Sequence, residues 1–258
     1  MRDSFSPLAG RYLAADANLR QTVRHALVAR ALAMHLPEPP ARIADVGGGA
    51  GQQAIPLARS GHEVTVLDTS PKMLGEARRR LEAETSDTRD RVRLVEGAGE
   101  SAPGLFGKSA FDAVLCHGVL MYLEDPRDMI RSLANLVRPG GIVSVLAKNA
   151  SALAARPALE GRYREALGLI GADRAPGRLG VVTRGDTVEG LSEACREVGL
   201  VMERWYGVRT FTDHLGDAPP DHDLPDVLEL EWEAGKRNPY RSVSRLIHVL
   251  ARKPTNHP

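Results

Sequence analysis

The sequence predicts an α/β protein with a doubly wound, mostly parallel sheet of seven strands, a leading helix and a helical insertion before the last strand. Three observations carry this expectation. Short apolar runs alternate with amphipathic helical runs from Arg42 to Ala147; a glycine-rich turn from Gly47 to Gly51 joins the first run to the first of those helices; and an acid, Asp68, ends the second run. Strands separated by helices pair in parallel, because each crossover has to cover a face of the sheet.

The elements follow in order. From Ala17 to Leu36 the residues Leu19, Val23, Leu27, Ala31 and Met34 recur at helical spacing, and Pro37 with Pro39 and Pro40 ends the run. Arg42 to Val46 reads as a buried strand, Gln52 to Ser60 as a helix stopped by Gly61, and Glu63 to Asp68 as a second strand. Pro71 opens a helix through Glu84, at the position where proline is tolerated. Strands at Val92 to Val95 and Phe111 to Cys116 precede a helix from Pro126 to Val137, the stop Arg138-Pro139-Gly140-Gly141, and a strand from Ile142 to Ala147. A helix is expected from Asn149 to Leu169, then a Gly/Pro/Arg-rich lid or linker from Gly171 to Gly185, and a helix from Asp186 to Val198. Two late strands, Leu200 to Thr210 and Val243 to Ala251, enclose an insertion with a helix around Leu224 to Gly235.

With 258 residues, 43% hydrophobic and 26% charged, the chain can bury one sizeable core, so a single domain spanning 1–258 is expected: a helical cap over 1–40, a core over 41–148, and further helices and final strands over 149–258. No stretch is apolar enough to span a membrane, and Met1 to Ser6 lacks the apolar centre of a signal peptide, which predicts a cytoplasmic protein. Cys116 and Cys195 have neither disulfide nor metal-ligand spacing. The net charge of +1 excludes a globally basic surface of the kind that grips nucleic acid non-specifically. Basic residues do cluster between Arg156 and Arg184, and the stretch from Asp213 to Glu233 carries no Lys or Arg. His214, Asp217, Asp221, His222 and Asp223 read as a solvated acidic loop, and no metal is expected.

Glycines at 47, 48, 49 and 51 after Asp45 let the backbone turn sharply and approach a ligand at a helix N-terminus. The dinucleotide pattern wants a glycine three residues beyond its second; counted from Gly49 that position is Gln52. Asp68 stands the right distance downstream to accept hydrogen bonds from both hydroxyls of a ribose, or to serve as a helix N-terminal acid before Ser70-Pro71. Gly97-Ala98-Gly99-Glu100 and His117-Gly118-Val119-Leu120-Met121-Tyr122 follow the third and fourth strands, so four loops converge on one crevice.

Asp-x-Gly-x-Gly-x-Gly from Asp45, the acid after the second strand, and Leu-Val-Arg-Pro-Gly-Gly before the fifth resemble the Rossmann-like class I S-adenosylmethionine-dependent methyltransferases. More narrowly, Asn18 to Gln21, Asp45 to Gln52, Gly61 to Val64, His117 to Leu120, Gly207 to Phe211 and Pro239-Tyr240 through Ile247 to Pro254 resemble the tRNA 5-carboxymethoxyuridine methyltransferases. The resemblance implies S-adenosyl-L-methionine as cofactor, with contacts from Arg20, Gly47, Gly48, Asp68, Gly99, Glu100 and His117; Gly49 and Gly51 complete the glycine turn. It also implies a carboxylate on the wobble uridine of a tRNA anticodon stem-loop as the methyl acceptor.

A carboxylate is ionised near neutral pH and needs no general base, only a cation to hold it. Lys148, Arg209 and Arg241 are candidates, Tyr122 lies in the crevice, and Arg174, Arg178 and Arg184 are candidates for tRNA phosphates. A phenol or amine acceptor would need a base such as His117 or His214. Tyr163, Trp205, Tyr206, Phe211 and Tyr240 are possible stacking platforms, with Trp205 and Phe211 equally readable as core. Asn238-Pro239-Tyr240 falls after the wrong strand to be an amino-methyltransferase box and reads as a turn. A small-molecule acceptor and a non-catalytic cofactor-binding protein are the alternative readings.

Overall fold

The computed structural model describes Gly10, residues 18–177 and residues 180–255. The expected helix start at Ala17, the segment Met1 to Ser6 and Arg178 lie outside the described residues. Helix α1 (Leu19–His35) begins at Asn18, whose side chain accepts the Gln21 N–H at 3.1 Å, and it buries Leu19, Val23, Leu27 and Ala31 as their spacing requires.

Strand β1 (Arg42–Val46) turns through the glycines into α2 (Ala54–Arg59), which stops at Gly61, where φ is +95°. Strand β2 (Glu63–Asp68) leads to α3 (Pro71–Glu82), capped by the Ser70 side chain with proline in the first turn. Two short helices went unread in the sequence, α4 (Ser86–Asp90) before β3 (Val92–Glu96) and α5 (Ala102–Phe106) before β4 (Phe111–His117). Each is five residues long, too short to show a period. Helix α6 (Arg127–Leu136) then runs directly into β5 (Val137–Lys148), which begins at the last residue of the expected helix and continues through the expected stop segment, because Val137 pairs with Phe111 before the register shifts.

The expected helix from Asn149 to Leu169 is corrected to α7 (Ala155–Leu159) and α8 (Tyr163–Leu169) after a 3₁₀ turn at Ala150–Ala152. The break is Gly161, whose φ of +77° ends the first helix while the Arg162 N–H returns to the Pro157 carbonyl at 2.8 Å. The segment expected as a lid or linker holds a small antiparallel hairpin, β6 (Arg174–Pro176) with β7 (Val182–Arg184). Lys148 ties it to the sheet: its Nζ donates to Thr183 Oγ1 at 2.8 Å and to the Ala175 carbonyl at 3.2 Å. Helix α9 (Val188–Glu197), β8 (Val201–Val208), the inserted α10 (Leu224–Gly235) and β9 (Leu246–Arg252) complete the chain.

The seven strands lie in the order β3-β2-β1-β4-β5-β9-β8. Strands β1 to β5 are parallel, and β9 runs antiparallel between β5 and β8. Alternate strand residues feed two apolar layers: Val114, Cys116, Val143 and Val249 with Leu133 of α6 on one face, and Ile43, Leu115 and Leu146 with Leu27 of α1 and Trp232 of α10 on the other. Chain order reverses between β1 and β4, and the crevice beyond the carboxyl ends of these strands is the switch point where such sheets bind ligands. Among the described residues, no helix is long and apolar enough to cross a membrane.

Candidate functional site

At the carboxyl end of β1, Gly47 and Gly49 hold φ of +71° and +57°, and a Cβ on Gly47 would lie 2.3 Å from Val119 Cγ2. Asp68 fixes the turn from the side: Oδ2 accepts the Gly49 N–H at 2.9 Å and Oδ1 the Ser70 N–H at 2.8 Å. It is therefore both a loop clamp and an acid lining the cavity beside that turn. A cavity of about 160 Å³ opens here, walled by the turn Gly47 to Gly49, Asp45, Asp68, Gly97, Gly99, His117 and Met129, with Arg24 and His25 reaching in from α1. Gly51 sits behind this wall against Ile55. Glu100, next to Gly99, is not part of the wall; its buried Oε2 has no hydrogen-bond partner among the described residues.

Burial, aided by the neighbouring Asp68 and opposed by Arg24, pushes the Asp45 carboxyl up to about 7. His117 is held well below its ordinary value, first by burial and then by His248, Arg24 and His25, so it faces the cavity as a neutral imidazole. Its Nε2 is engaged by Ser144 Oγ at 2.9 Å, while its buried Nδ1 has no partner among the described residues.

A second cavity of about 150 Å³ adjoins the first; Arg24, Gly118, Met121 and Tyr122 line both. Its wall carries six cations, Arg20, Arg24, Lys148, Arg156, Arg209 and Arg245, against one acid, Asp213. Arg20 therefore lines this cavity rather than the first, with its Nη2 on Asp217 at 2.7 Å. Arg209 pairs with Asp213 at 3.2 Å, and Arg245 approaches the same carboxylate at 3.6 Å. The buried Nε atoms of Arg20 and Arg209 have no acceptor among the described residues. Burial lowers Lys148 to about 8 and Arg209 to about 10, values at which both remain cationic at neutral pH.

Of the three candidate anion holders, Lys148 and Arg209 meet in this cavity and Arg241 does not: its guanidinium stacks over the Trp205 ring at 4.0 Å. Arg184 is paired with Asp186 at 2.5 Å and largely buried, whereas Arg174 is exposed. Tyr206 is buried against Trp232, with ring centroids 5.2 Å apart. Phe211 is exposed and meets the exposed Tyr240 at 6.0 Å, while Trp205 is half-buried and Tyr163 stands in solvent. No group of three or more potential metal-binding side chains occurs among the described residues. Reading the sequence missed Arg24, His25, Arg156, Asp213 and Arg245. Arg24 follows Arg20 by four residues, one helical turn along the same face, and that spacing was a usable signal.

A glycine cradle and an acid at the end of the second strand, set at the switch point of a parallel sheet closed by an antiparallel strand, define a class I methyltransferase. Residues 44–145 match the family model described as a methyltransferase domain. The chain is 30% identical over 240 residues to a tRNA 5-carboxymethoxyuridine methyltransferase of Escherichia coli (strain K12), covering 92% of this chain and 88% of that one. It is 36% identical over 142 residues to a ubiquinone biosynthesis O-methyltransferase of Xanthomonas campestris pv. campestris (strain B100), covering 54% of this chain and 56% of that one. The solved magnesium protoporphyrin IX methyltransferase of Synechocystis PCC 6803, with bound SAH, superposes with a TM-score of 0.66 at 19% identity, covering 98% and 97% of the two chains. The chain belongs to the class I S-adenosylmethionine-dependent methyltransferase family, and its similarity to the tRNA 5-carboxymethoxyuridine methyltransferases extends over nearly its whole length.

The first cavity fits that methyl donor. Its glycine turn leaves room that a Cβ would fill, two acids suit a cationic molecule, and His117, which lines the wall, has an Nδ1 with no partner among the described residues.

Proposed function

We propose that this protein methylates the carboxylate of 5-carboxymethoxyuridine at the tRNA wobble position, using S-adenosylmethionine bound in the first cavity. The observation that supports the acceptor chemistry is the cationic second cavity, lined by Arg20 and Arg209, whose buried Nε atoms have no acceptor among the described residues. A carboxylate is the anion that a guanidinium binds with two parallel hydrogen bonds.

In this reading the segment 41–148 is the cofactor core. Gly47, Gly48, Gly49 and Gly51 form the turn, Asp68 holds the ribose, Gly99 and Glu100 edge the base, and His117 packs against the donor. Arg20 and Arg209 grip the acceptor carboxylate, and Lys148 holds the β6–β7 hairpin over it. The donor supplies its methyl group from a sulfonium, so the displacement needs alignment and exclusion of water rather than a base. Arg24, Met121 and Tyr122 line the boundary that the methyl must cross. The exposed arginines of the 156–184 stretch contact tRNA phosphates.

A small-molecule carboxylate is the second reading, favoured by how much of the second cavity wall is buried, Arg20 and Lys148 included. The test offers labelled S-adenosylmethionine with tRNA carrying 5-carboxymethoxyuridine and looks for a base-labile methyl ester on the nucleoside. No transfer by a protein that binds the donor moves the acceptor to the small-molecule class.

A further inference from the structure

Glu231 of α10 is completely buried, yet its carboxylate pairs with no cation among the described residues; it takes the Thr210 N–H on Oε2 at 2.7 Å, and on Oε1 the Phe211 N–H at 2.9 Å, the Thr212 N–H at 2.9 Å and the Thr212 hydroxyl at 2.7 Å. Three successive backbone N–H groups converging on one anion form a nest, and here a helix from another part of the chain fills it.

The residue immediately before this nest is Arg209, which has a φ of +62°. Among the described residues only Ser109 shares that left-handed conformation without being glycine. A side-chain-bearing residue stays there only when its surroundings hold it. On one side Arg209 is fixed by its carbonyl, which accepts the Arg245 N–H at 3.1 Å; on the other the Glu231 bonds hold the next three residues. With the backbone so held, the guanidinium turns into the second cavity and pairs with Asp213, the residue immediately after the nest.

We propose that Glu231 is a positioning residue for acceptor binding: by closing the Thr210–Thr212 nest it keeps Arg209 in its left-handed conformation and aims the Arg209 guanidinium at the acceptor anion. Neither its burial nor its helix would reveal this role, because the carboxylate never reaches the cavity. The inference rests on the second cavity being the acceptor site.

Two measurements test it. The first needs no acceptor: the Arg209 Nε–H signal, assigned by its loss in Arg209→Lys, is followed by ¹⁵N NMR for exchange with water. Glu231→Gln, which keeps the shape and replaces an acceptor by a donor, speeds that exchange about tenfold and leaves the Arg20 Nε–H unchanged. Equal exchange in the two proteins overturns the proposal. If Glu231→Gln does not fold, Thr212→Val removes one of the four bonds and shows the same change in smaller measure. The second is a double-mutant cycle on the KM for tRNA carrying 5-carboxymethoxyuridine. Glu231→Gln raises that KM, leaves the dissociation constant for S-adenosylmethionine unchanged, and adds nothing once Arg209 is alanine. Additive effects overturn the positioning role alone, whereas an Arg209→Ala protein with normal KM for that tRNA overturns both the acceptor site and the inference built on it.

Discussion

His117 and His248 share one hydroxyl: Ser144 Oγ lies 2.9 Å from His117 Nε2 and 2.8 Å from His248 Nε2. A hydroxyl has one proton, so one imidazole donates to Ser144 and the other accepts from it, and neither ring needs a positive charge to complete the chain. Burial, reinforced by His35, holds His248 at about 3, and burial first also depresses His117. Both groups bind protons less readily folded than unfolded, so their stability contribution is complete above 6.5 and is lost as pH falls from there toward the folded values. For His248 this costs about 2 kcal/mol of stability at pH 5 relative to pH 7.5, and His117 adds to the loss in the same direction. Urea unfolding at the two pH values measures this, and His248→Gln reduces the difference; an unchanged difference shows that the pair does not carry the acid sensitivity.

Asp45 behaves oppositely, because its carboxyl is raised to about 7 by burial and by Asp68. Its contribution is complete below the unfolded value of 3.8 and is lost as pH rises through about 7. A cationic donor reverses this by favouring the ionised form. Binding of S-adenosylmethionine should tighten about tenfold between pH 6 and pH 8 and level off above that. Calorimetry on the wild type and Asp45→Asn checks it: the variant binds weakly with no such pH dependence and, without ligand, is the more heat-stable protein at pH 8.

Arg20 lines the second cavity, so Arg20→Ala should raise the acceptor KM by roughly tenfold or more, the value of a charge-assisted hydrogen bond. The dissociation constant for S-adenosylmethionine should hardly move. The opposite pattern, weakened S-adenosylmethionine with intact binding of methylthioadenosine, would return Arg20 to the donor carboxylate that the family resemblance implies.

Salt dependence separates an RNA acceptor from a metabolite. Arg164 and Arg174 are exposed and free to reach phosphates, unlike Arg184, which is bound to Asp186. If each contacts one phosphate of the anticodon loop, removing both flattens the plot of log affinity against log salt by about 0.7 per contact. Donor binding stays as it was. A small-molecule enzyme shows no salt slope to flatten.

Most of the sheet and the glycine-lined cavity were legible because their signals are local. The turn at Gly47 to Gly51 and the acid at Asp68 are each set by a few adjacent residues, and the strand runs from Ile43 to Leu146 follow the period of their own backbone. Gly161 was equally visible, but a glycine inside a helical run does not say whether the helix continues or breaks there. The β6–β7 hairpin was unreadable for another reason: three-residue strands carry no period, and the bond that holds them comes from Lys148, outside the segment.

The sequence by itself determined the fold class, the methyl donor implied by its motifs, and the set of charges from which an acceptor site could be drawn. Only the tertiary structure decided which of those charges line one cavity. Arg20 and Arg24 come from α1, Lys148 from the end of β5, Arg209 from the end of β8, and Arg245 from the start of β9, and they meet because β9 inserts antiparallel between β5 and β8. The exclusion of Arg241 turns on a cation–π contact with Trp205, and the backbone next to Arg209 is held by a carboxylate in α10. Such choices depend on long-range packing, which leaves no trace in the spacing of neighbouring residues.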